Sequence, residues 1–247
     1  MTVLLEHLKS KTVWVDHLDY SLPLLRGTVG DFYADATQLS HFMREAQSLL
    51  SSDVLEFDLA RFLRSYVTAD MLNQEDDLID QVEKLLADEE MRQGLKECLI
   101  ALRASISPDA LLVIRIPASE FWRDLLQSSQ GWEDEDDLEM LVMFISDLLR
   151  AYNNLPIKGV LLEDFQADIY EPLINMAKGY EWAVGAFGTS HDVDFLINAE
   201  QPEIVGPLWG QLLTSEDVSS ADFVYWKLDV GLDPDKVLVR RKKIGGA

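Results

Sequence analysis

Five ionisable side chains lie at or shortly after the ends of short apolar runs in this sequence, and their types suit proton transfer. They are Asp16, His17, Asp58, Glu163 and His191. In parallel α/β folds, reactive residues lie on the loops just past the C-terminal ends of the strands. A neutral imidazole can exchange protons near pH 7, and a carboxylate that orients it also raises its pKa. We therefore expect four of these residues to be catalytic: Asp58, His17, His191 and Glu163.

Three residues near the same strand ends are candidates for binding a substrate: Asp16, Tyr20 and Arg115. Most candidates also have a structural interpretation. Arg115 could balance a buried carboxylate, and either Asp58 or Glu56 could cap a strand end. Glu163 stands at a turn before a helix, where acidic side chains are common. His191 follows a Gly-Thr-Ser turn, where a histidine can serve as a loop hydrogen-bonding group. The residues alone leave both interpretations open.

The elements that must position these residues alternate between short apolar runs and longer helical patterns. Such alternation indicates βα units around a parallel sheet. The predicted strands cover 12–15, 53–57, 110–117, 159–162, 182–187, 193–197 and 223–228, with a strand-like edge segment at 236–244. The predicted helices cover 36–50, 75–105 in two pieces, 138–152, 168–180 and 203–213.

This pattern predicts one α/β domain over residues 1–247, built as a (β/α)8 barrel. An open, doubly wound parallel sheet is the alternative, because sequence alternation cannot distinguish a closed sheet from an open one. In either fold the polar strand ends would converge at one side of the sheet.

The composition excludes several classes of function. The chain carries 44 acidic and 21 basic residues, for a net charge of -23, so we expect no nucleic-acid binding. The only basic cluster, 240–243, is too short to line a groove. The excess of acid is typical of a solvated surface, or of a surface that binds a basic protein partner. With 48% hydrophobic residues, the chain can fill a core.

Cofactor and compartment motifs are few. The single cysteine, Cys98, lies in a helical pattern, which argues against a disulfide and against a thiolate zinc site. No Gly-rich nucleotide motif or Gly-x-Ser-x-Gly elbow is present. A metal held by His17, His191 and Glu163 is chemically reasonable, but these ligands are scattered, so the cofactor stays unknown. The absence of a signal peptide and of a long apolar stretch predicts a cytoplasmic protein without a membrane span.

Two short motifs resemble the uroporphyrinogen decarboxylase family. Val13-Trp14, followed by Leu22-Pro23 and Arg26, is similar to the opening of that family, and Glu56-Phe57-Asp58 is similar to its Phe-Ser-Asp-type motif. Segments 113–117 and 160–163 resemble strands of the wider superfamily, which includes cobalamin-independent methionine synthase. The resemblance implies a (β/α)8 barrel, and it places the family's catalytic-site aspartate at Asp58.

The departures from the family concern substrate charge. Where the family has two arginines that bind substrate carboxylates, this chain has Asp16 and Tyr20, or His17 at the first position by another count. A carboxylate there turns attraction into repulsion of about 4 kcal/mol at close range. With Cys98 in a helix, the superfamily's zinc site is absent too.

These departures predict a divergent barrel enzyme, a lyase or transferase, that acts on a small, non-polyanionic substrate with neutral or positive charge. The alternative is a catalytically silent barrel that binds a partner through its acidic surface. An enzyme should have a deep pocket at the rim, whereas a silent barrel should have a rim filled by apolar side chains.

Overall fold

Eight parallel strands pair in sequence order and close into a barrel, because the last strand also pairs with the first. The strands are β1 (Val13–Asp16), β2 (Val54–Asp58), β3 (Leu111–Ile116), β4 (Ile157–Leu162), β5 (Ala183–Phe187), β6 (Phe195–Ile197), β7 (Leu208–Leu212) and β8 (Phe223–Lys227). The structure is a computed structural model that describes residues 2–10, 12–27, 33–68, 71–72, 77–128, 131–132, 134–166, 168–188, 192–197, 208–212 and 222–244. The predicted (β/α)8 barrel is confirmed, and the open sheet is excluded.

Helices lie between most of the strands. Those of the described residues are α1 (Val3–Leu8), α2 (Leu18–Arg26), α3 (Ala36–Leu50), α4 (Leu59–Tyr66), α5 (Leu78–Ala87), α6 (Glu89–Ser105), α7 (Ser119–Leu125), α8 (Glu135–Arg150), α9 (Glu171–Gly179) and α10 (Pro234–Ile244). The predicted helix at 36–50 matches α3, and the predicted long helical region is divided into α5 and α6 as expected. In the described part of the chain, no helix is both long and apolar enough to span a membrane.

The interior of the barrel is apolar at its N-terminal end. Alternate side chains of strands such as β1, β2, β3 and β8 point inward, and the inner cluster includes Trp14, Val54, Val113 and Phe223. Helix α1 closes this end, since Leu4 and Leu8 are fully buried in the same cluster.

Gly159 of β4 allows this close packing. A Cβ there would come within 2.6 Å of the Ala183 carbonyl oxygen and 2.7 Å of Leu4 Cδ2. Since the neighbouring backbone cannot easily move away, glycine fits this position best.

The outer layer is a larger apolar core between the strands and the helices. α3 shows how the helices build it, because Leu39, Phe42, Met43 and Ala46 recur with helical spacing and are all buried. Cys98 of α6 is a free thiol buried in this layer.

Two predicted elements were wrong. Part of the predicted helix 203–213 is the strand β7, which pairs with both β6 and β8 and thereby closes the barrel. The predicted edge strand 236–244 is the helix α10. Pro234 suits the first position of that helix, and the Asp233 carboxylate accepts hydrogen bonds from the backbone of Asp235 and Lys236. These capping interactions prevail over the alternating valines that favoured a strand.

Candidate functional site

A buried arginine occupies the centre of the barrel at its C-terminal mouth. Arg115 Nε donates a hydrogen bond to Glu163 Oε1 at 2.7 Å, and Arg115 Nη1 lies 3.2 Å from Asp16 Oδ2 and 3.4 Å from Glu56 Oε2. The Arg115 side chain is 18% exposed and that of Glu56 is only 5% exposed. One guanidinium therefore binds three carboxyl groups from three different parts of the chain.

The two-residue alternation of side chains along each of these strands brings the charged residues together. On β2, Val54 and Glu56 both point inward, and on β3 Val113 and Arg115 do the same. The apolar residue of each pair lies deeper in the barrel, and the charged residue lies nearer the mouth. Because β1 to β4 are parallel neighbours, their C-terminal ends meet at one rim.

A cleft with a volume of about 610 Å³ opens above this network. Its charged lining consists of four carboxyl groups and four cations, namely Asp16, Asp19, Asp58, Glu163, Arg61, Arg64, Arg115 and Lys227. Apolar side chains such as Leu18, Leu22 and Phe121 form other parts of the wall. Across the part of the chain that the structure describes, the rim is therefore a polar pocket and is not filled by apolar side chains.

Glu56 lies just beneath the floor of this cleft in an environment that favours its neutral form. The pKa of Glu56 is raised to about 8, mainly by burial and also by the nearby Asp16 carboxylate, while Arg115 opposes the shift. Glu56 Oε1 has no hydrogen-bond partner among the residues that the structure describes. A protonated carboxyl group is less costly than a carboxylate in such a position.

Tyr225 of β8 completes the floor. Its hydroxyl donates to Asp16 Oδ2 at 3.2 Å, and it also lies beside Glu56. Burial raises the pKa of Tyr225 well above 10, and the neighbouring Glu56 and Asp16 add to this effect. Tyr225 is therefore a neutral phenol that can both donate and accept a hydrogen bond.

Asp58 combines a structural contact with a position in the cleft. Its Oδ1 accepts a hydrogen bond from the Arg61 backbone and so caps α4, while its Oδ2 lies 3.3 Å from Arg61 Nε. Burial raises the pKa of Asp58, although Arg115 and Arg61 oppose the shift. Its backbone nitrogen donates to the Tyr33 hydroxyl at 2.8 Å. The strand-end cap considered from the sequence is thus present, and the carboxyl group still faces the cleft.

The structure brings four of the seven sequence-predicted site residues together and places two elsewhere. Asp16, Asp58, Glu163 and Arg115 all line the cleft. Tyr20 is buried on the outside of the barrel in a cluster with Trp226 and Val237. His17 is also on the outer side, as described next. His191 lies outside the described residues.

His17 follows Asp16 directly, so the two side chains point to opposite sides of β1. His17 is 3% exposed, and its ring packs near Phe42 of α3, with 6.4 Å between the ring centroids. Burial lowers the pKa of His17 to about 4, although the Asp16 charge opposes the shift. The expectation that a neighbouring carboxylate raises this pKa was therefore wrong for His17, because the loss of hydration outweighs the attraction.

We expect the variant His17→Phe to remove an acid-induced loss of stability. The pKa of His17 falls from 6.5 in the unfolded chain to about 4 in the fold, so unfolding takes up a proton between these values. The stabilising contribution of neutral His17 is present above pH 6.5 and is lost as the pH falls towards 4, by about 1.4 kcal/mol per pH unit. Denaturant unfolding of both proteins from pH 4 to 7 measures the difference. If the free energies of unfolding of the two proteins changed in parallel with pH, the lowered pKa of His17 would be contradicted.

Several residues of the site were not selected from the sequence: Glu56, Tyr225, Arg61, Arg64 and Lys227. A signal for Glu56 was present, since a carboxyl group inside an apolar run of a buried strand needs a partner. Arg115 is the matching charge inside the next run. Tyr225 and Lys227 follow Phe223 at intervals of two on β8, which predicts that they share its inward face.

A second cavity, of about 660 Å³, lies on the side of the barrel between α10 and β8. Trp226, Leu232 and Val237 contribute apolar surface to it. It is separate from the mouth and lacks the buried carboxyl network. Within the described part of the chain, no group of three or more His, Cys, Asp and Glu side chains is arranged to hold a metal ion.

No protein-family model matches the chain, and no curated protein matches its sequence. Among solved structures, the chain is similar to a proposed L-alanine-DL-glutamate epimerase from Burkholderia xenovorans strain LB400, bound to magnesium and fumarate. The identity is 12% and the TM-score 0.39, over 75% of this chain and 42% of that chain. The chain therefore spans less than half of the length of that protein.

The chain is also similar to tryptophan synthase from M. tuberculosis in an aminoacrylate- and BRD0059-bound form. Here the identity is 13% and the TM-score 0.41, over 98% of this chain and 94% of that chain. Both likenesses are too low to carry an argument, so the barrel assignment stands on the strand pairing of this protein. Membership of the uroporphyrinogen decarboxylase superfamily remains a hypothesis.

Proposed function

We propose that this protein is an enzyme that acts on a small, non-polyanionic molecule at the mouth of its barrel. The reaction is acid/base chemistry of the lyase or group-transfer kind. The observation that carries this proposal is the contrast between the two ends of the barrel. The N-terminal end is closed by apolar side chains such as Leu4, Leu8 and Trp14, whereas the mouth holds Arg115 among carboxyl groups.

The free-energy cost of burying charged groups at the C-terminal mouth supports a functional reason for their presence there. Burying a set of ionised groups contributes less stability than well-packed apolar side chains of similar volume would. The same barrel has such packing at its other end, so the fold itself does not require charges in its interior. Charges kept at the C-terminal mouth, where barrel enzymes have their active sites, are typical of catalysis. A catalytically silent barrel would have no need of them.

The residues have distinct roles in this proposal. Asp58 and Glu163 face the cleft and are placed to accept or return a proton on the substrate. Arg115 fixes the surrounding carboxyl groups. Its Nη2 has no hydrogen-bond partner within the described ranges, so it can bind an oxygen of the substrate. Asp58 is also the position at which the uroporphyrinogen decarboxylase family has its catalytic-site aspartate.

The charged side chains that line the cleft indicate which net charge a substrate can carry. Arg115 pairs with Asp16, so the repulsion expected from an isolated Asp16 is partly compensated. Four carboxyl groups still line the cleft against four cations, and two of these cations, Arg61 and Arg115, are already paired with carboxyl groups. A polyanion such as a tetrapyrrole would therefore meet a lining without excess positive charge, whereas a neutral polar molecule would find many hydrogen-bonding partners.

A turnover screen tests this function. The protein is incubated with a defined mixture of small organic acids, alcohols, amines and amides, and depletion is followed by mass spectrometry. We expect one compound class to be depleted by the wild type, and Asp58→Asn to slow this by about 100-fold or more. Asparagine is also a good helix cap, so α4 should remain intact.

The matched control is Glu139→Gln, which removes a carboxylate from the exposed side of α8 and should leave turnover unchanged. Equal rates for all three proteins would contradict the site. No depletion of any compound by the wild type would contradict the function.

A further inference from the structure

The floor of the cleft contains a chain of acidic groups that the roles above do not use. Asp16 lines the cleft and its side chain is 11% exposed, while Glu56 is sealed beneath it. The two carboxyl groups lie at 3.2 Å and 3.4 Å from the same nitrogen, Arg115 Nη1. The Tyr225 hydroxyl bonds Asp16 and lies beside Glu56.

The contacts of this cluster favour a state in which one carboxyl group is protonated over a state in which all of them are ionised. With both carboxyl groups ionised, Asp16, Glu56 and Glu163 would place three negative charges around the single cation Arg115. Glu56 would also keep a charged oxygen, Oε1, without a partner among the described groups. One proton held by the pair of Asp16 and Glu56 relieves both problems, since two carboxyl groups this close do not both ionise readily.

The groups that face Glu56 come from every neighbouring strand. Asp16 lies on β1, Asp58 on β2, Arg115 on β3 and Tyr225 on β8. Arg115 alone among them favours the carboxylate through its charge, and it is shared with Glu163. The surroundings as a whole therefore keep a proton in the cluster.

We propose that Asp16 and Glu56 share this proton through the Tyr225 hydroxyl, and that Asp16 delivers it to the substrate. Asp16 is the catalytic residue in this step, and Glu56 is a positioning residue that acts through it. The inference rests on the proposed function, because delivery requires a substrate in the cleft.

The step balances without any other reactant. The shared proton starts on Glu56, since the Tyr225 hydroxyl donates to Asp16. Tyr225 passes its hydroxyl proton to Asp16 and receives the proton of Glu56, so the phenol is unchanged. The new O–H bond on Asp16 then breaks as a bond from hydrogen to the basic atom of the substrate forms. Both carboxyl groups are then ionised beside Arg115, and the substrate has gained the proton. A proton from solvent restores the cluster after the product leaves.

Infrared spectroscopy of the whole protein in D₂O tests the shared proton without a substrate. At pH 7 the wild type should show the carbonyl stretch of a protonated carboxyl group, and this band should disappear as the pH rises through about 8. Glu56→Gln should abolish the band, whereas the surface control Glu139→Gln should keep it. Absence of the band in the wild type at pH 7, or its persistence in Glu56→Gln, would overturn the shared proton.

Turnover of the compound found by the screen tests delivery. Tyr225→Phe interrupts the chain and should lower kcat by about 100-fold with little change in KM, while Glu56→Gln should shift the basic limb of the kcat profile. An unchanged profile in Glu56→Gln, with the infrared band present, would show that the proton is structural and would refute delivery. If the wild type turns over nothing, the proposed function and delivery both fail, and the infrared result still decides whether the proton is shared.

Discussion

Arg115→Met is expected to destabilise the protein by about 3–5 kcal/mol at pH 7, more than any single surface change. The substitution keeps much of the side-chain volume but leaves Asp16, Glu56 and Glu163 without the cation that binds all three. These carboxyl groups are mostly buried, so water cannot replace the guanidinium. The loss should grow with pH, because at low pH the carboxyl groups escape by taking up protons.

The matched control is Arg150→Met on α8. Arg150 lies 3.8 Å from Asp147, and both side chains are more than half exposed, so the loss should be no more than about 1 kcal/mol. Adding Asp16→Asn and Glu56→Gln to Arg115→Met should recover part of the stability, since neutral amides then replace two of the three carboxyl groups that have lost their cation. Urea unfolding of the four proteins measures these differences. Equal losses for Arg115→Met and Arg150→Met would contradict the central place of Arg115.

Glu56→Gln is expected to change the pH dependence of stability in the direction opposite to His17→Phe. The pKa of Glu56 rises from 4.5 in the unfolded chain to about 8 in the fold, so the folded protein holds a proton that the unfolded chain releases. This contribution is fully present below pH 4.5 and is lost as the pH rises through about 8, by about 1.4 kcal/mol per pH unit. Summed over the window, the effect is on the order of a few kcal/mol.

The measurement is the free energy of unfolding of the wild type minus that of Glu56→Gln, from pH 5 to 8. The difference isolates Glu56, which is necessary because His17 makes stability rise with pH over part of the same range. We expect the wild type to lose its advantage steadily as the pH rises. A difference that stays flat would contradict the protonated state of Glu56.

Much of the fold was predictable because buried parallel strands leave a clear pattern. The run at 110–117 and the runs near Thr12, Asp53 and Gly159 gave four consecutive neighbours of the barrel. The pattern failed for β7 and α10, where local sequence preference and tertiary context disagree. β7 is a strand because closure requires a partner for both β6 and β8.

The candidate site was predictable to the extent that it depends on strand ends. Asp16, Asp58, Glu163 and Arg115 were placed correctly at one rim. His17 could have been assigned to the outer layer, since consecutive residues of a strand face opposite sides.

Glu56 was harder to assign, because its role depends on a partner far away in sequence. The sequence shows a carboxyl group inside an apolar run, but only the closed barrel shows that Arg115 and Asp16 lie beside it. Tyr225 has the same limitation, since β8 meets β1 only when the barrel closes.

The central claim is that the mouth of the barrel is the place where chemistry occurs. A crystal structure of Asp58→Asn with the compound identified by the screen tests it most directly, because the slowed variant should retain the unreacted molecule. We predict that the compound occupies the cleft, in contact with Arg115, Asp16 and Glu163. Binding in the cavity between α10 and β8, beside Trp226, with the mouth left empty, would contradict the account.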